Sequence, residues 1–189
     1  YGGMILLEGS AGIGKTRLLQ EVARDAEWRG AQVLWGQTQD TETSDAHALL
    51  LNALNEGLSS LRVSQFSALT EKLWLQVLKP LMPNLEKYRP NLDAAPSLEP
   101  EQERARLAEA MTTFVSNWGE ITPLLLLLED LHWADEETLR FLPALADRLR
   151  KHAVLVIGTY RGAEVRSLPV KWEQFQGLER SALLEKKTL

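Results

Sequence analysis

Gly9-Ser10-Ala11-Gly12-Ile13-Gly14-Lys15-Thr16 fits the pattern G-x-x-x-x-G-K-[ST], and the fold is read outward from it. Before it, Met4 to Leu7 is a short apolar run leading into Glu8-Gly9, which predicts a strand entering a glycine turn. After Lys15 the period changes. Leu18, Leu19, Val22, Ala23 and Ala26 share one helical face, with Gln20, Glu21, Arg24 and Asp25 opposite. Glycines let the backbone curl so that successive N–H groups point inward, and the following helix adds its positive dipole end. A loop of this kind holds phosphate. Lys15 is a mobile point charge for the terminal phosphates, and Thr16 offers a hydroxyl to Mg²⁺. The bland alternative is a glycine turn with no ligand, and the strand-before, helix-after context weighs against it.

A second stretch says what is done with the phosphate. Five leucines, Leu124 to Leu128, run directly into Glu129-Asp130. The run is far shorter than the roughly 20 residues of a membrane span. It predicts a buried parallel strand that carries two carboxylates to the C-terminal edge of a sheet, where ligands bind. One carboxylate suits Mg²⁺, and the other suits orienting or deprotonating an attacking water. A solvated strand end is the alternative.

Between and beyond these motifs, strands and helices alternate. Gly30 stops the first helix, and Gln32 to Trp35 predicts a second strand. Leu50, Leu51, Leu54, Leu58 and Leu61 repeat at helical spacing, as do Phe66, Leu69, Leu73 and Val77; both stripes predict core or lid packing. Five of the eight prolines fall between Pro80 and Pro100, a loop or linker within the domain. Leu107, Met111, Phe114, Val115 and Trp118 mark a long helix. Glu136 to Arg150 predicts another, with Leu139, Leu142, Leu145, Ala146 and Leu149 inward, Asp135 as N-cap, and Pro143 kinking it or opening a second segment. Val154 to Ile157 is a fourth strand, and Leu183 to Leu189 leads to a fifth. The stretch between them is weakly patterned. The alternation implies an α/β fold, a parallel sheet with helices on both faces.

Composition sets the limits. The chain has 189 residues, 44% hydrophobic and 25% charged, enough for one domain with a sizeable core. A net charge of −5 argues against direct nucleic-acid binding. The absence of cysteine excludes disulfides and fits a reducing, cytoplasmic setting. His132 is isolated in sequence from His47 and His152, so a structural or relay role suits it better than metal ligation. Trp133 reads as a packing residue beside the site. Arg148, Arg150, Lys151 and His152 read as compensation of a helix dipole. The chain opens Tyr-Gly-Gly and ends at Leu189 without a terminal signature, and is read as a piece of a longer protein.

Leu124 to Asp135 (L-L-L-L-L-E-D-L-H-W-A-D) resembles the second nucleotide motif of STAND-type ATPases. More narrowly, it resembles the AAA-type ATPase domain of bacterial LuxR-family regulators and multidomain cyclases and kinases. Gly9 to Leu19 is similar to that family's first motif, and Gly158-Thr159-Tyr160-Arg161 to its sensor-1 segment. The resemblance implies a P-loop NTPase three-layer sandwich with strand order 5-1-4-3-2. It also implies ATP/ADP and Mg²⁺ as ligands, ATP rather than GTP. Gly9, Ser10, Ala11, Gly12, Ile13, Gly14, Lys15, Thr16 and Arg17 would bind nucleotide. Thr16 and Glu129 would hold the metal, Asp130 would prepare water, and Arg161 would face the γ-phosphate, making Asp130, Glu129 and Arg161 the catalytic set. Many members carry Asp-Asp where this chain has Glu129-Asp130, so which acid holds Mg²⁺ stays open.

The expected domain is a single core over residues 1–189 with a helical or loop insertion at about 45–100, its lid and effector domains absent. The expected function is a slow ATP-hydrolysing switch in a larger signalling or transcription-regulatory protein. Its partners would be ATP, the chain's own effector domains and, with nucleotide, further copies of itself; neither nucleic acid nor a membrane is expected to bind this segment. The alternatives are a non-hydrolysing nucleotide-binding module and a P-loop phosphotransferase, though no arginine-dense lid segment supports the latter.

Overall fold

The structure is a computed structural model that describes residues 2–37, 46–61, 63–66, 71–180 and 184–188. Five parallel strands form one sheet: β1 (Gly3–Glu8), β2 (Gln32–Gln37), β3 (Leu124–Glu129), β4 (Val154–Tyr160) and β5 (Leu184–Thr188). Their spatial order is β2-β3-β4-β1-β5, which is the expected 5-1-4-3-2 read from the other edge.

The leucine run shows why the order matters. Side chains alternate faces along a strand, so a run without alternation needs cover on both sides. Leu124, Leu126 and Leu128 join Met4, Leu6, Leu34, Val154 and Val156 in the larger core. Leu125 and Leu127 join Leu7, Leu19, Ala23 and Ile157 in the smaller one. Helix α1 (Lys15–Trp28) covers the smaller side. The larger side is covered by α2 (Ala48–Gly57), α3 (Val63–Phe66), α4 (Lys72–Leu78) and α5 (Pro100–Ile121), together with α6 (Glu136–Arg148), α7 (Gly162–Arg166) and α8 (Pro169–Arg180). Burying each leucine stabilises the fold by about 1.5–3 kcal/mol, so β3 is held at the centre from both faces.

Most of the expected packing is present. Leu50, Leu51, Leu54, Leu58 and Leu61 are buried, as are Met111, Phe114, Val115 and Trp118, with Leu107 half-buried at the rim. The Trp118 indole N–H donates to Gln32 Oε1 at 2.8 Å, which settles its one polar atom in the core. Asp135 caps α6 by accepting from the Thr138 N–H at 2.8 Å.

Two expectations need correction, and a third is narrowed. The Phe66–Val77 stripe is not one helix. It falls on α3 and α4, with Leu69 outside the described residues and Leu73 41% exposed. In α4 the inward positions are Leu75, Val77 and Leu78, because the break resets the helical phase. Leu18, expected on the packed face of α1, is 37% exposed; Leu19 and Ala23 carry that contact. Of the two alternatives for Pro143, the second segment is excluded, since α6 runs through it from Glu136 to Arg148. Buried Leu139, Phe141, Leu142, Leu145 and Ala146 flank it on the inward face, and their burial outweighs the missing N–H. The weakly patterned stretch forms α7 and α8, anchored by Val165, Phe175 and Leu178.

Gly158 in β4 links the sheet to the turn that leaves β3. A Cβ there would sit 2.4 Å from Leu131 Cδ1 and 3.1 Å from Leu6 Cδ2. Leu131 begins the short turn after Glu129-Asp130, so this glycine lets the turn lie against the sheet. Gly158→Ala is expected to destabilise the chain by about 1–3 kcal/mol, the usual range for overpacking. Urea unfolding checks this: the midpoint should fall at an unchanged slope. An unmoved midpoint would mean the turn gives way at no cost.

Candidate active site

The site is assembled from three loops at the C-terminal edge of the sheet. The first follows β1. The Gly9 N–H donates to Tyr160 O at 3.2 Å, tying the loop to β4. Gly12 and Gly14 then take φ of 75° and 105°, conformations that a side chain resists. The N-cap of α1 is Gly14, which has no side chain to cap the helix's first N–H groups. Lys15 Nζ donates to Gly9 O at 2.8 Å and Ser10 O at 2.9 Å, held against the start of its own loop. Burial lowers the Lys15 pKa from its ordinary value, Asp130 opposes that shift, and Arg161 adds to it.

The second loop follows β3. Glu129 continues the odd-numbered face of Leu125 and Leu127, the face covered by α1. It therefore meets Thr16, whose Oγ1 donates to Glu129 Oε2 at 2.7 Å. Asp130 leaves the alternation by adopting φ 55°, ψ 47°. That left-handed turn costs about 1–2 kcal/mol for a non-glycine residue, less for Asp than for most. Two backbone hydrogen bonds, worth about 1 kcal/mol each, offset it. The Asp130 N–H donates to Thr159 Oγ1 at 3.1 Å, and Asp130 O accepts from the Trp133 N–H at 2.8 Å.

The third loop follows β4. Arg161 Nη1 donates to Glu164 Oε1 at 2.8 Å, which raises the guanidinium's pKa. Arg161 Nε is buried and has no hydrogen-bond partner among the described residues. His132, buried in the turn after Asp130, lies behind these groups. Its Nε2 is 3.2 Å from Glu164 Oε2 and its Nδ1 is 3.8 Å from Asp130 Oδ1. Burial lowers the His132 pKa, against the pull of Asp130 and Glu164.

Ala11, Gly12, Gly14, Lys15, Thr16, Asp130 and Arg161 line one cavity of about 210 Å³. Gly9, Ser10 and Ala11 also border an adjoining cavity of about 280 Å³, with Arg161, Glu164 and Arg166 across it. Ile13 and Arg17 do not line the first cavity; Ile13 is 51% exposed and Arg17 is exposed beside it. Trp133 is 37% exposed and leans on the His132 ring, so it packs only on one side. Two larger cavities, of about 510 and 460 Å³, sit at the strands' N-terminal edge, away from every phosphate-binding group. Size therefore does not mark this site. The basic cluster borders the larger of them, with Arg148, Arg150 and His152 each beside a carboxylate.

Thr159 and Glu164 went unread in the sequence. Thr159 stands inside the sensor-like Gly158-Thr159-Tyr160-Arg161, and its use shows only once the Asp130 turn is known. The signal for Glu164 was its i,i+3 spacing from Arg161.

The donor set suits a Mg²⁺–nucleotide. Thr16 and Glu129 supply a hydroxyl and a carboxylate, both hard oxygens, and no cluster of three or more His, Asp or Glu ligands exists among the described residues. A cation there would complete its shell with phosphate oxygens and water, the usual habit of Mg²⁺. Among the described residues no helix is long and apolar enough to cross a membrane.

The family model of the AAA ATPase domain matches residues 1–157. The chain belongs to that family. A search of curated proteins finds no match. Among solved structures, the crystal structure of Cdc6p from Pyrobaculum aerophilum is similar at a TM-score of 0.45 and 14% identity, over 98% of this chain and 39% of that one. The chain thus spans well under half the length of that relative.

The Thr16–Glu129 pair makes a separable prediction. Glu129→Gln should shrink the gain in ATP affinity that Mg²⁺ gives by on the order of tenfold, about 1.4 kcal/mol. Calorimetric titration with ATP in Mg²⁺ and in EDTA checks it. Loss of hydrolysis with that gain intact would move the metal role to Asp130.

Proposed function

We propose that this AAA ATPase domain binds MgATP, hydrolyses it slowly and serves as a nucleotide-dependent switch in a larger, cytoplasmic signalling or regulatory protein. Residues 1–189 would form its nucleotide core. The observation that carries the reading is the cavity shared by Lys15, Thr16, Asp130 and Arg161, groups drawn from three separate loops.

Each residue has a chemical task. The Gly12–Gly14 turn and the α1 N-terminus would cradle phosphate oxygens through N–H groups. Thr16 and Glu129 would hold Mg²⁺, which when bound supplies positive charge to the phosphates. Asp130 would orient a water for in-line attack on the γ-phosphorus and accept its proton as the bond to the leaving oxygen breaks. Lys15 and Arg161 would offset the charge that builds on the phosphoryl oxygens.

The present contacts of the two cations support slow turnover. Lys15 holds two loop carbonyls and Arg161 holds Glu164. Both contacts must be exchanged before the charges can act on phosphate. A γ-phosphate, which ADP lacks, would draw in Arg161, and that is what a switch between ATP and ADP forms requires. Self-association with nucleotide and control of attached effector domains belong to the same proposal.

Two substitutions test it. Lys15→Ala should weaken MgATP binding at least about tenfold, with an unchanged circular dichroism spectrum. Asp130→Asn should keep MgATP binding and lower single-turnover hydrolysis by roughly 10²-fold or more. Asn tolerates the left-handed turn as Asp does, so the loss is not one of folding. If the wild-type chain binds MgATP with no measurable hydrolysis, a structural nucleotide module replaces the switch. Unchanged MgATP affinity in Lys15→Ala removes the phosphate loop from the reading.

A further inference from the structure

We propose that Glu164 is the counter-ion Arg161 gives up when a γ-phosphate enters, and that the released carboxylate then engages His132, carrying the exchange to Asp130. This rests on the functional reading above and names two positioning residues for it, neither of which lines the cavity shared by Lys15, Thr16, Asp130 and Arg161.

The geometry points this way. Glu164 lies between two partners, and one bond is complete where the other is not. Its Oε1 takes the Arg161 Nη1–H at 2.8 Å. Its Oε2 is 3.2 Å from His132 Nε2, yet that nitrogen forms no hydrogen bond with any described residue. The His132 side chain is 2% exposed, so water does not readily replace the missing partner. A buried imidazole N–H without an acceptor is costly, and a small rotation of Glu164 would remove that cost. Arg161 has the matching deficit, a buried Nε without an acceptor, while the same side chain borders the phosphate cavity. A γ-phosphate oxygen would satisfy Arg161, and Glu164 would then turn fully to His132. One exchange thus settles both orphaned groups.

The consequence reaches the hydrolytic acid. His132 Nδ1 faces Asp130 Oδ1 at 3.8 Å. The His132 carbonyl accepts from Lys171 Nζ at 2.7 Å, which fixes the backbone of its turn to α8. Fixing the ring through Glu164 would therefore also hold the Asp130 carboxylate, since the backbone of the turn is already tied down. A merely local role for Glu164, as an acid in the first turn of α7 paired at i,i+3, predicts none of this.

The test compares nucleotides on the full chain. Affinities for ADP and for a non-hydrolysable ATP analogue are measured by calorimetry, and hydrolysis by single turnover. Glu164→Gln keeps the shape and drops the charge. It should tighten the ATP analogue about threefold to fivefold relative to ADP, the scale of one half-exposed ion pair. In an Arg161→Ala background the same change should leave the ratio unmoved. His132→Asn should slow single turnover by about tenfold with ATP-analogue affinity held within about twofold, a split that a folding defect does not produce. Glu164→Asp, which shortens the side chain but keeps its charge, should retain the wild-type ratio if Glu164→Gln folds poorly. A ratio unmoved by Glu164→Gln, or moved equally without Arg161, overturns the exchange while leaving the ATPase reading intact. A wild-type chain that binds neither nucleotide overturns both.

Discussion

Pairing of β4 between β1 and β3 is the constraint on which the site depends. β1 carries the phosphate loop and β3 carries the acids, yet the two strands do not touch. With β4 between them, the gap at the sheet's edge is two strand spacings, roughly 10 Å. That is room for a phosphate group and a cation, while side chains can still meet across it, as Thr16 meets Glu129. Arg161 and Thr159 leave β4 in the middle of that gap. One therefore reaches the cavity from the side, and the other holds the Asp130 turn. Parallel pairing throughout puts all three loops at the same edge.

Alternation along β3 then divides labour between neighbouring acids. Glu129 keeps the strand's phase and faces α1, where Thr16 stands. Asp130 would face the opposite core if the strand continued, and a carboxylate there would be buried among leucines. The left-handed turn brings it out into the cavity. Its cost is the condition for having two acids at one edge with different neighbours. The longer Glu129 side chain spans the distance to Thr16, which gives a physical reason for Glu at the first position.

Much of this was legible in the sequence because it rests on periodicity and on residue types with few substitutes. The loop glycines, Lys15, Thr16, the leucine run and Asp135 each obey a local rule, and the structure places them accordingly. Strand order was not legible from periodicity; it came with the family resemblance. What failed was phase. Extending a helical repeat puts Leu73 and Leu18 inward, but the interruption after α3 and the narrow contact of α1 leave both exposed. Glu164 and Thr159 were missed for a different reason. Their roles depend on partners 32 and 29 positions earlier in the chain, His132 and Asp130, and such pairings exist only after the sheet forms.

Charge balance would let such a site respond to one phosphate more or less. Lys15 Nζ and Arg161 Nη1 are both paired with the protein's own oxygens, two carbonyls and a carboxylate. Nucleotide must compete with these contacts, so the net gain from each cation is smaller than its bare attraction to phosphate. The rivals at Lys15 are neutral carbonyls, which are weak, so on the same reading any nucleotide with a β-phosphate would draw it away. Arg161 competes through a full carboxylate and yields only to a group of comparable charge at close range. On the function proposed above, the difference in rival, not the difference in cation, would let Arg161 tell ATP from ADP.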